Sequence, residues 1–416
     1  LLVASFLVLG SVTLGLWQFL NAGQSSRVLL FAVRAWFYGA MVLSSVQFWL
    51  LASDIFSNFE AKRRFPLLVA SGILGTMAGS YFVSLSAPAF EIRHFILVWG
   101  LTLLLIPFIL APFFKHPEAA STTAASRAIV AEETDPTKSR RTTRWLVWAL
   151  FLFWMIYSFF SYGMDYAFNL KVKEHFPDEH SMTQFFGKVG LVANTAVLLY
   201  QVLVASPLAM RYGIDRTILF IPFLFLLSMI LIYFHPSLLA VAFAEGVIFY
   251  FSDYAAEGAL NPISNVFSQK NRSWAKMLSE GAGRPVGTLL LLFVGLMFGF
   301  DMTFRQIVLV MLGVSAAFLF FPLVFRKIYF RHLKNCLHAP DLNLVANAIQ
   351  ALGERQYGGA VGDLRSLLKE SSDISLQRNI LVSLGKIQNR ETIKDIVGMF
   401  RTKNESLQMG VVESLG

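Results

Sequence analysis

Charged residues and cysteine are scarce in this sequence. Only 15% of the 416 residues are Asp, Glu, Lys or Arg, whereas a soluble domain usually contains about a quarter. The single cysteine, Cys336, excludes an intrachain disulfide. No Walker loop, His/Cys metal cluster or G-x-S-x-G motif occurs. We therefore expect no enzymatic activity, no metal and no cofactor.

Hydrophobic residues make up 56% of the chain, and 40 of them are phenylalanine. A helix needs about 20 apolar residues to cross a bilayer. Ten stretches meet this requirement approximately: 1–20, 28–56, 66–85, 92–114, 145–170, 183–207, 217–234, 238–267, 277–299 and 304–326. The sequence therefore predicts an all-α, polytopic membrane protein with the lipid bilayer as its first partner.

The positive charges predict the orientation of these spans. Most Lys and Arg of the connections lie on one set of helix ends: 62–64, 115–144, 211–216, 270–276 and 326–334. Such ends face the cytoplasm. We expect both ends of the chain on the cytoplasmic side of an inner or plasma membrane. The net charge of +9 is explained by this placement, so we expect no nucleic-acid partner.

A polar Ala/Ser/Thr-rich segment, 116–144, divides the apolar part unequally. Four stretches precede it, in residues 1–115, and six follow it, in residues 145–330. Two bundles of six helices joined by a cytoplasmic loop are the major-facilitator plan. Because the chain also begins at Leu1 inside an apolar run, we interpret it as a piece of a longer protein. On this plan ten of twelve helices are present, and 116–144 is an irregular linker.

A short internal sequence similarity supports two related halves. Lys62, next to Arg63, precedes a helix with several glycines, and Lys276 precedes the glycines that surround Arg284 in the second half. Cations at a membrane interface anchor helix ends, and the glycines allow close helix packing. We expect these four residues to act as cytoplasmic anchors or gate residues.

From about residue 340 the composition becomes ordinary and polar. A Leu-Gly pair closes three similar phrases, at Gly353, Gly385 and Gly416, with apolar positions at helical spacing between them. This pattern is typical of HEAT-like helical repeats, whose neighbours stack to bury their apolar faces. We expect residues 340–416 to form a cytoplasmic α-solenoid, separable from the membrane part, that can hold a protein partner. Two amphipathic helices with chance spacing are the alternative.

Ionisable residues inside the apolar stretches are the candidate functional residues. Each costs roughly 2.5–3.5 kcal/mol at the centre of a membrane helix. We expect Asp165, Lys188 and Glu245, with Asn169 and Asn261, to line a cavity for a charged solute or a coupling ion. Other charges are interpreted as lying at interfaces or pairing structurally: Arg34, Asp253, Glu257, Glu280 and Arg284.

Three stretches resemble the bacterial and plastid ATP/ADP translocase family, which is of major-facilitator type. They are FWLLASDIFSNFEAKRRFPLLVASGILGTMAGS (48–80), YGMDYAFNLKVKEHFPDEHSMTQFFGKVG (162–190) and EGALNPISNVFSQKNRSWAKMLSEGAGRPVG (257–287). Asp165 falls where the translocases carry an acidic residue. The resemblance implies transport of a charged small molecule by alternating access, possibly a nucleotide, and a helical-repeat tail as in some relatives.

The sequence also departs from the family pattern. Phe37 stands where ATP/ADP exchangers are expected to have a glutamate, Asn169 where many bacterial relatives have a lysine, and Val69 and Ser71 where glycines are expected. An alternative therefore stays open. The chain is then a transport-incompetent relative that serves as a membrane anchor or scaffold through its helical repeats.

Overall fold

The computed structural model describes residues 2–22, 27–55, 58–110, 136–200, 214–253, 266–298 and 302–388, together with a few isolated positions. Within these ranges all regular structure is helical and no strand occurs. The expected all-helical class is therefore confirmed.

Four helices form the first half of the apolar part. They are α1 (Leu2–Asn21), α2 (Arg27–Ile55), α3 (Asn58–Ser86) and α4 (Ile92–Leu110). Six of the described helices are long and apolar enough to cross a membrane: Val3–Asn21, Leu67–Ser86, Arg141–His175, Glu179–Tyr200, Asn271–Met297 and Phe304–Cys336. This follows from length and composition alone.

Eight of the described helices belong to the second half. They are α5 (Pro136–His175), α6 (Glu179–Tyr200), α7 (Ile214–Phe234), α8 (Leu238–Glu245), α9 (Gln269–Lys276), α10 (Gly283–Met297), α11 (Phe304–Phe318) and α12 (Phe321–Cys336). Two π-helical turns, Gly246–Phe251 and Met277–Ala282, follow α8 and α9 directly. Since α5 already begins at Pro136, the expected irregular linker is wrong for residues 136–144. Its remainder, 116–135, lies outside the described residues.

The helix pairing repeats between the halves. Helix α1 packs along α4 in the first half, and α7 packs along α11 in the second. Helices α3 and α6 join the halves side by side, and Thr76 Oγ1 donates a hydrogen bond to Asn194 Oδ1 between them at 2.9 Å. Gly187 allows this approach, because a Cβ there would lie 2.7 Å from the backbone nitrogen of Ser84.

A single apolar core begins in α5 and continues into the tail. Its centre is aromatic, since Phe160 stacks on Phe225 with ring centroids 4.3 Å apart and Phe153 contacts Phe318 at 5.6 Å. Such ring pairs contribute about 0.5–1.5 kcal/mol each beyond the area that they bury. Helix α5 is therefore the central element against which the second half packs.

The tail contains α13 (Leu342–Glu354), a 3₁₀ turn at Gly358–Ala360, α14 (Val361–Glu370) and α15 (Ile374–Ile387). Asp341 and Asp373 cap α13 and α15 alike, each carboxylate accepting from the backbone amide two residues later, at 3.0 and 2.8 Å. Gly353 lets the two helices touch, because a Cβ there would lie 2.6 Å from the Cβ of Ser383. The Leu-Gly spacing therefore marks stacked helix pairs.

The tail shares its core with the apolar helices through α12. Phe330 of α12 stacks on Tyr357 with ring centroids 4.0 Å apart, and Lys334 forms an ion pair with Asp363 at 2.8 Å. On its other side, α12 places His332 Nε2 3.1 Å from the carbonyl oxygen of Val266. These contacts count against the expectation that the tail is separable, because α12 packs against both parts.

Candidate functional site

Asp165 lies on α5 where α2 crosses it, and it connects the two halves. The hydroxyl of Tyr38 on α2 donates a hydrogen bond to Asp165 Oδ2 at 3.2 Å. One helical turn further along α5, the amide of Asn169 donates to Asp165 Oδ1 at 3.0 Å and to its backbone carbonyl at 2.7 Å. The i, i+4 spacing brings both polar groups to one helix face. A carboxylate with two donors is thus held between the halves.

Glu245 is the last residue of α8, and its side chain is 4% exposed. Its Oε2 atom is buried and has no hydrogen-bond partner among the described residues. The acidic group that acts on it electrostatically is Asp165. We call Asp165 and Glu245 the acidic pair.

The backbone leaves α-helical geometry immediately after Glu245. The π-helical turn starts at Gly246, and the hydroxyl of Tyr157 on α5 donates to the carbonyl of Ile248 inside this turn at 3.3 Å. Single π-helical turns occur mostly inside α-helices and frequently at functional sites. The acidic pair therefore sits beside an irregular segment of backbone.

A second charged group surrounds Arg284 in the first turn of α10. Its guanidinium lies 3.1 Å from a carboxylate oxygen of Asp253 and 3.6 Å from one of Glu280. It also covers the indole ring of Trp154, with 4.1 Å to the ring centroid. We call Arg284, Asp253 and Glu280 the arginine network. Arg284 and Glu280 are 8% and 4% exposed, and their position relative to a membrane interface stays a prediction.

Tyr162 connects the acidic pair with the arginine network. Its ring packs edge-on against Tyr38 with centroids 4.2 Å apart, and its phenol interacts electrostatically with Arg284, Asp253 and Asp165. The two groups therefore form one polar layer among otherwise apolar helices. This layer can bind a charged solute or a proton.

The other expected site residues have different places. Lys188 is exposed on α6, so the structure does not bring it into the polar layer. Lys276 is buried, with its Nζ 5.8 Å from the ring centroid of Trp49 on α2. Beside Lys276 lies a cavity of about 30 Å³, large enough for a water molecule, lined by Leu150, Trp154, Leu260, Phe267, Lys276, Ser279 and Glu280. Asn261 and the side chains of Lys62 and Arg63 lie outside what the structure describes.

Two carboxylates in the connections between helices are fixed locally. The side-chain hydrogen bond with Arg93 lowers the pKa of Glu91, and hydrogen bonds with Ser181 lower the pKa of Asp178. The backbone amide of Ser181 donates to Asp178 Oδ1 at 2.7 Å at the start of α6. These exposed groups stabilise the ends of helices and are not part of the polar layer.

The sequence did not single out Tyr38 or Tyr162, because a tyrosine near an apolar stretch gives no distinctive pattern. Part of the arginine network could have been predicted from the sequence. Glu280 and Arg284 have the i, i+4 spacing of a helical ion pair. The sequence does not show that the indole ring of Trp154, on a different helix, packs against the guanidinium of Arg284.

The comparison with protein families concerns the tail. Residues 330–416 match the HEAT repeat family model. The expected HEAT-like tail is thus confirmed, and the match begins inside α12, ten residues before the expected start at 340. No curated protein and no solved structure matches the chain. The resemblance of the apolar part to ATP/ADP translocases stays a prediction.

Proposed function

We propose that this chain belongs to a multi-pass membrane carrier that moves a charged solute by alternating access. The supporting observation is the hydrogen bond between Tyr38 and Asp165, which joins the two halves at a partly buried carboxylate. Ionisable groups within apolar helices are costly and generally mark solute or ion pathways. On this proposal the chain lies in an inner or plasma membrane, with the tail on the cytoplasmic side.

The polar layer is suited to a charged solute for two reasons. It contains carboxylates and a guanidinium on facing helices, so a solute has partners of either sign. Its contacts also cross from α2 to α5, which allows them to break and reform as the halves rock. Alternating access moves the halves around such a central site.

A nucleotide is the first solute to test, because of the resemblance to ATP/ADP translocases. The expected glutamate position holds Phe37, which is 44% exposed and contacts Trp99 with ring centroids 4.8 Å apart. An aromatic surface at this point is compatible with stacking on a base. Phe37 has no charge with which to bind a phosphate. The phosphate groups of a nucleotide would therefore have to bind in the polar layer.

The test is the substitution Asp165→Asn, with uptake of labelled ATP and ADP measured in proteoliposomes. Each hydrogen bond to a charged group is worth about 1.5–3 kcal/mol, so uptake should fall by about ten- to a hundredfold. The matched control is Asp178→Asn, which removes an exposed carboxylate at the start of α6. It should leave uptake unchanged. A lowered thermal stability with intact uptake in Asp165→Asn would make the residue structural.

The second candidate function is a membrane scaffold that binds a protein partner through its tail. The HEAT repeat match over residues 330–416 and the rigid connection through α12 favour this alternative. Binding of radiolabelled ATP and ADP to the purified full-length protein separates the two candidates. A carrier for these nucleotides binds them, whereas a scaffold binds neither and instead retains crosslinked protein partners.

A further inference from the structure

We propose that Glu245 is a proton-binding site and that the acidic pair couples proton movement to transport. The coupling rests on the proposed carrier function, whereas proton binding at Glu245 does not. The starting observation is a carboxyl group that is 4% exposed and has a buried oxygen without a hydrogen-bond partner among the described residues.

The neighbourhood of Glu245 offers no described counter-charge. From α5 the group that acts on it electrostatically is Asp165. The buried residues of α7 carry no charge: Ile221, Phe225, Met229 and Ile232 are apolar, and Ser228 is a neutral hydroxyl. On α6 the charged residue of the apolar stretch, Lys188, is exposed. Arg284 is engaged by Asp253 and Glu280.

This setting favours the uncharged form of Glu245. Burying an ionised carboxylate without a partner costs several kcal/mol, and a second carboxylate nearby adds repulsion. Asp165, by contrast, accepts hydrogen bonds from Tyr38 and Asn169, and these stabilise its negative charge. The acidic pair therefore holds one proton, bound as an O–H on Glu245, while Asp165 remains ionised.

Release of this proton requires that water reaches Glu245. The step is a simple transfer: the carboxyl O–H bond breaks, the proton passes to water, and the carboxylate is left hydrated. The π-helical turn beginning at Gly246 provides a means, because shifting a helix by one residue rotates a side chain by about 100°. The side chain then turns away from the apolar core of α7 toward the interface between the halves.

The first test measures the proton directly. Infrared difference spectra of the purified full-length protein, recorded over a range of pH, show the C=O band of a protonated carboxyl. The expected result is a band that persists at neutral pH in the wild type and disappears in Glu245→Gln. The control Glu174→Gln replaces a half-exposed carboxylate that pairs with Lys171, and it should keep the band.

Two results would overturn the proton site. One is an unchanged band in Glu245→Gln. The other is a Glu245→Gln protein that fails to fold, because glutamine has the shape and neutrality of the protonated acid and should be accommodated. The first result shows that another group gives rise to the band, and the second shows that the site requires the charged form of Glu245.

The second test measures coupling, with ATP and ADP as probes in proteoliposomes. An imposed pH gradient should change the initial uptake rate of the wild type several-fold, and Glu245→Gln should abolish this dependence. Uptake that is identical with and without the gradient overturns coupling and leaves the carrier proposal intact. Absence of any ATP or ADP uptake counts against the proposed function for nucleotides, while the infrared result still decides the proton site.

Discussion

Replacing Arg284 by alanine should lower the free energy of unfolding by about 3–5 kcal/mol, because it leaves the buried carboxylate of Glu280 and the partly buried one of Asp253 without their counter-charge. Glu280 is 4% exposed, and Asp253 lies 3.1 Å from the guanidinium. The alanine also removes the group that covers Trp154. The measurement is thermal or denaturant unfolding of the purified protein in detergent.

Two companion variants make this prediction specific. Arg305→Ala removes an exposed arginine that donates to the hydroxyl of Tyr233 at 3.3 Å, and it should leave the free energy of unfolding nearly unchanged because solvent screens exposed charges. Arg284→Lys retains the positive charge but lacks the planar guanidinium with its several donors. It should therefore lose less stability than Arg284→Ala but remain less stable than the wild type. Equal effects of Arg284→Ala and Arg305→Ala would show that the arginine network does not stabilise the fold.

Truncation after Pro340 should yield a protein that aggregates. The cut removes α13 to α15 and exposes the face of α12 that carries Tyr329, Phe330 and Leu333, all at most 3% exposed in the intact chain. Each large apolar side chain contributes about 1.5–3 kcal/mol when buried. Exposing two or three of them removes much of the roughly 5–15 kcal/mol that stabilises a typical protein.

The matched truncation ends after Gln388, which retains α12 to α15 and their shared core. Size-exclusion chromatography in detergent should show a single symmetric peak for this variant and aggregates for the cut after Pro340. A well-behaved protein from both cuts would show that the tail is an independent domain and that the contact between Phe330 and Tyr357 contributes little.

Much of the helical framework could be predicted because long apolar stretches have few alternatives to a helix. The helical repeats of the tail could also be predicted, since the repeated Leu-Gly pairs reflect the close contact of α13 with α15 at Gly353. The two π-helical turns could not be predicted. They depend on how the two turns themselves fit against α5, which is a property of tertiary packing and not of local sequence.

Within the candidate site, the sequence identified the residues whose charge is unusual in an apolar stretch. Asp165 and Glu245 were found in this way, and Asp165 acts electrostatically on Glu245. Lys188 satisfied the same criterion but is exposed on α6. A charged residue within an apolar stretch is energetically unfavourable in a membrane. The direction in which its side chain points depends on how the neighbouring helices pack.

Thiol accessibility at Asn169 tests alternating access most directly. Cys336 is the only cysteine, so a Cys336→Ser, Asn169→Cys protein carries one reporter beside Asp165. In proteoliposomes, a membrane-impermeant thiol reagent is added to one side or the other, with and without ATP and ADP. Our account predicts labelling from both sides, with the nucleotides shifting the ratio. Labelling from one side alone under every condition, or from neither side, would contradict a carrier in which this site alternates between the two faces of the membrane.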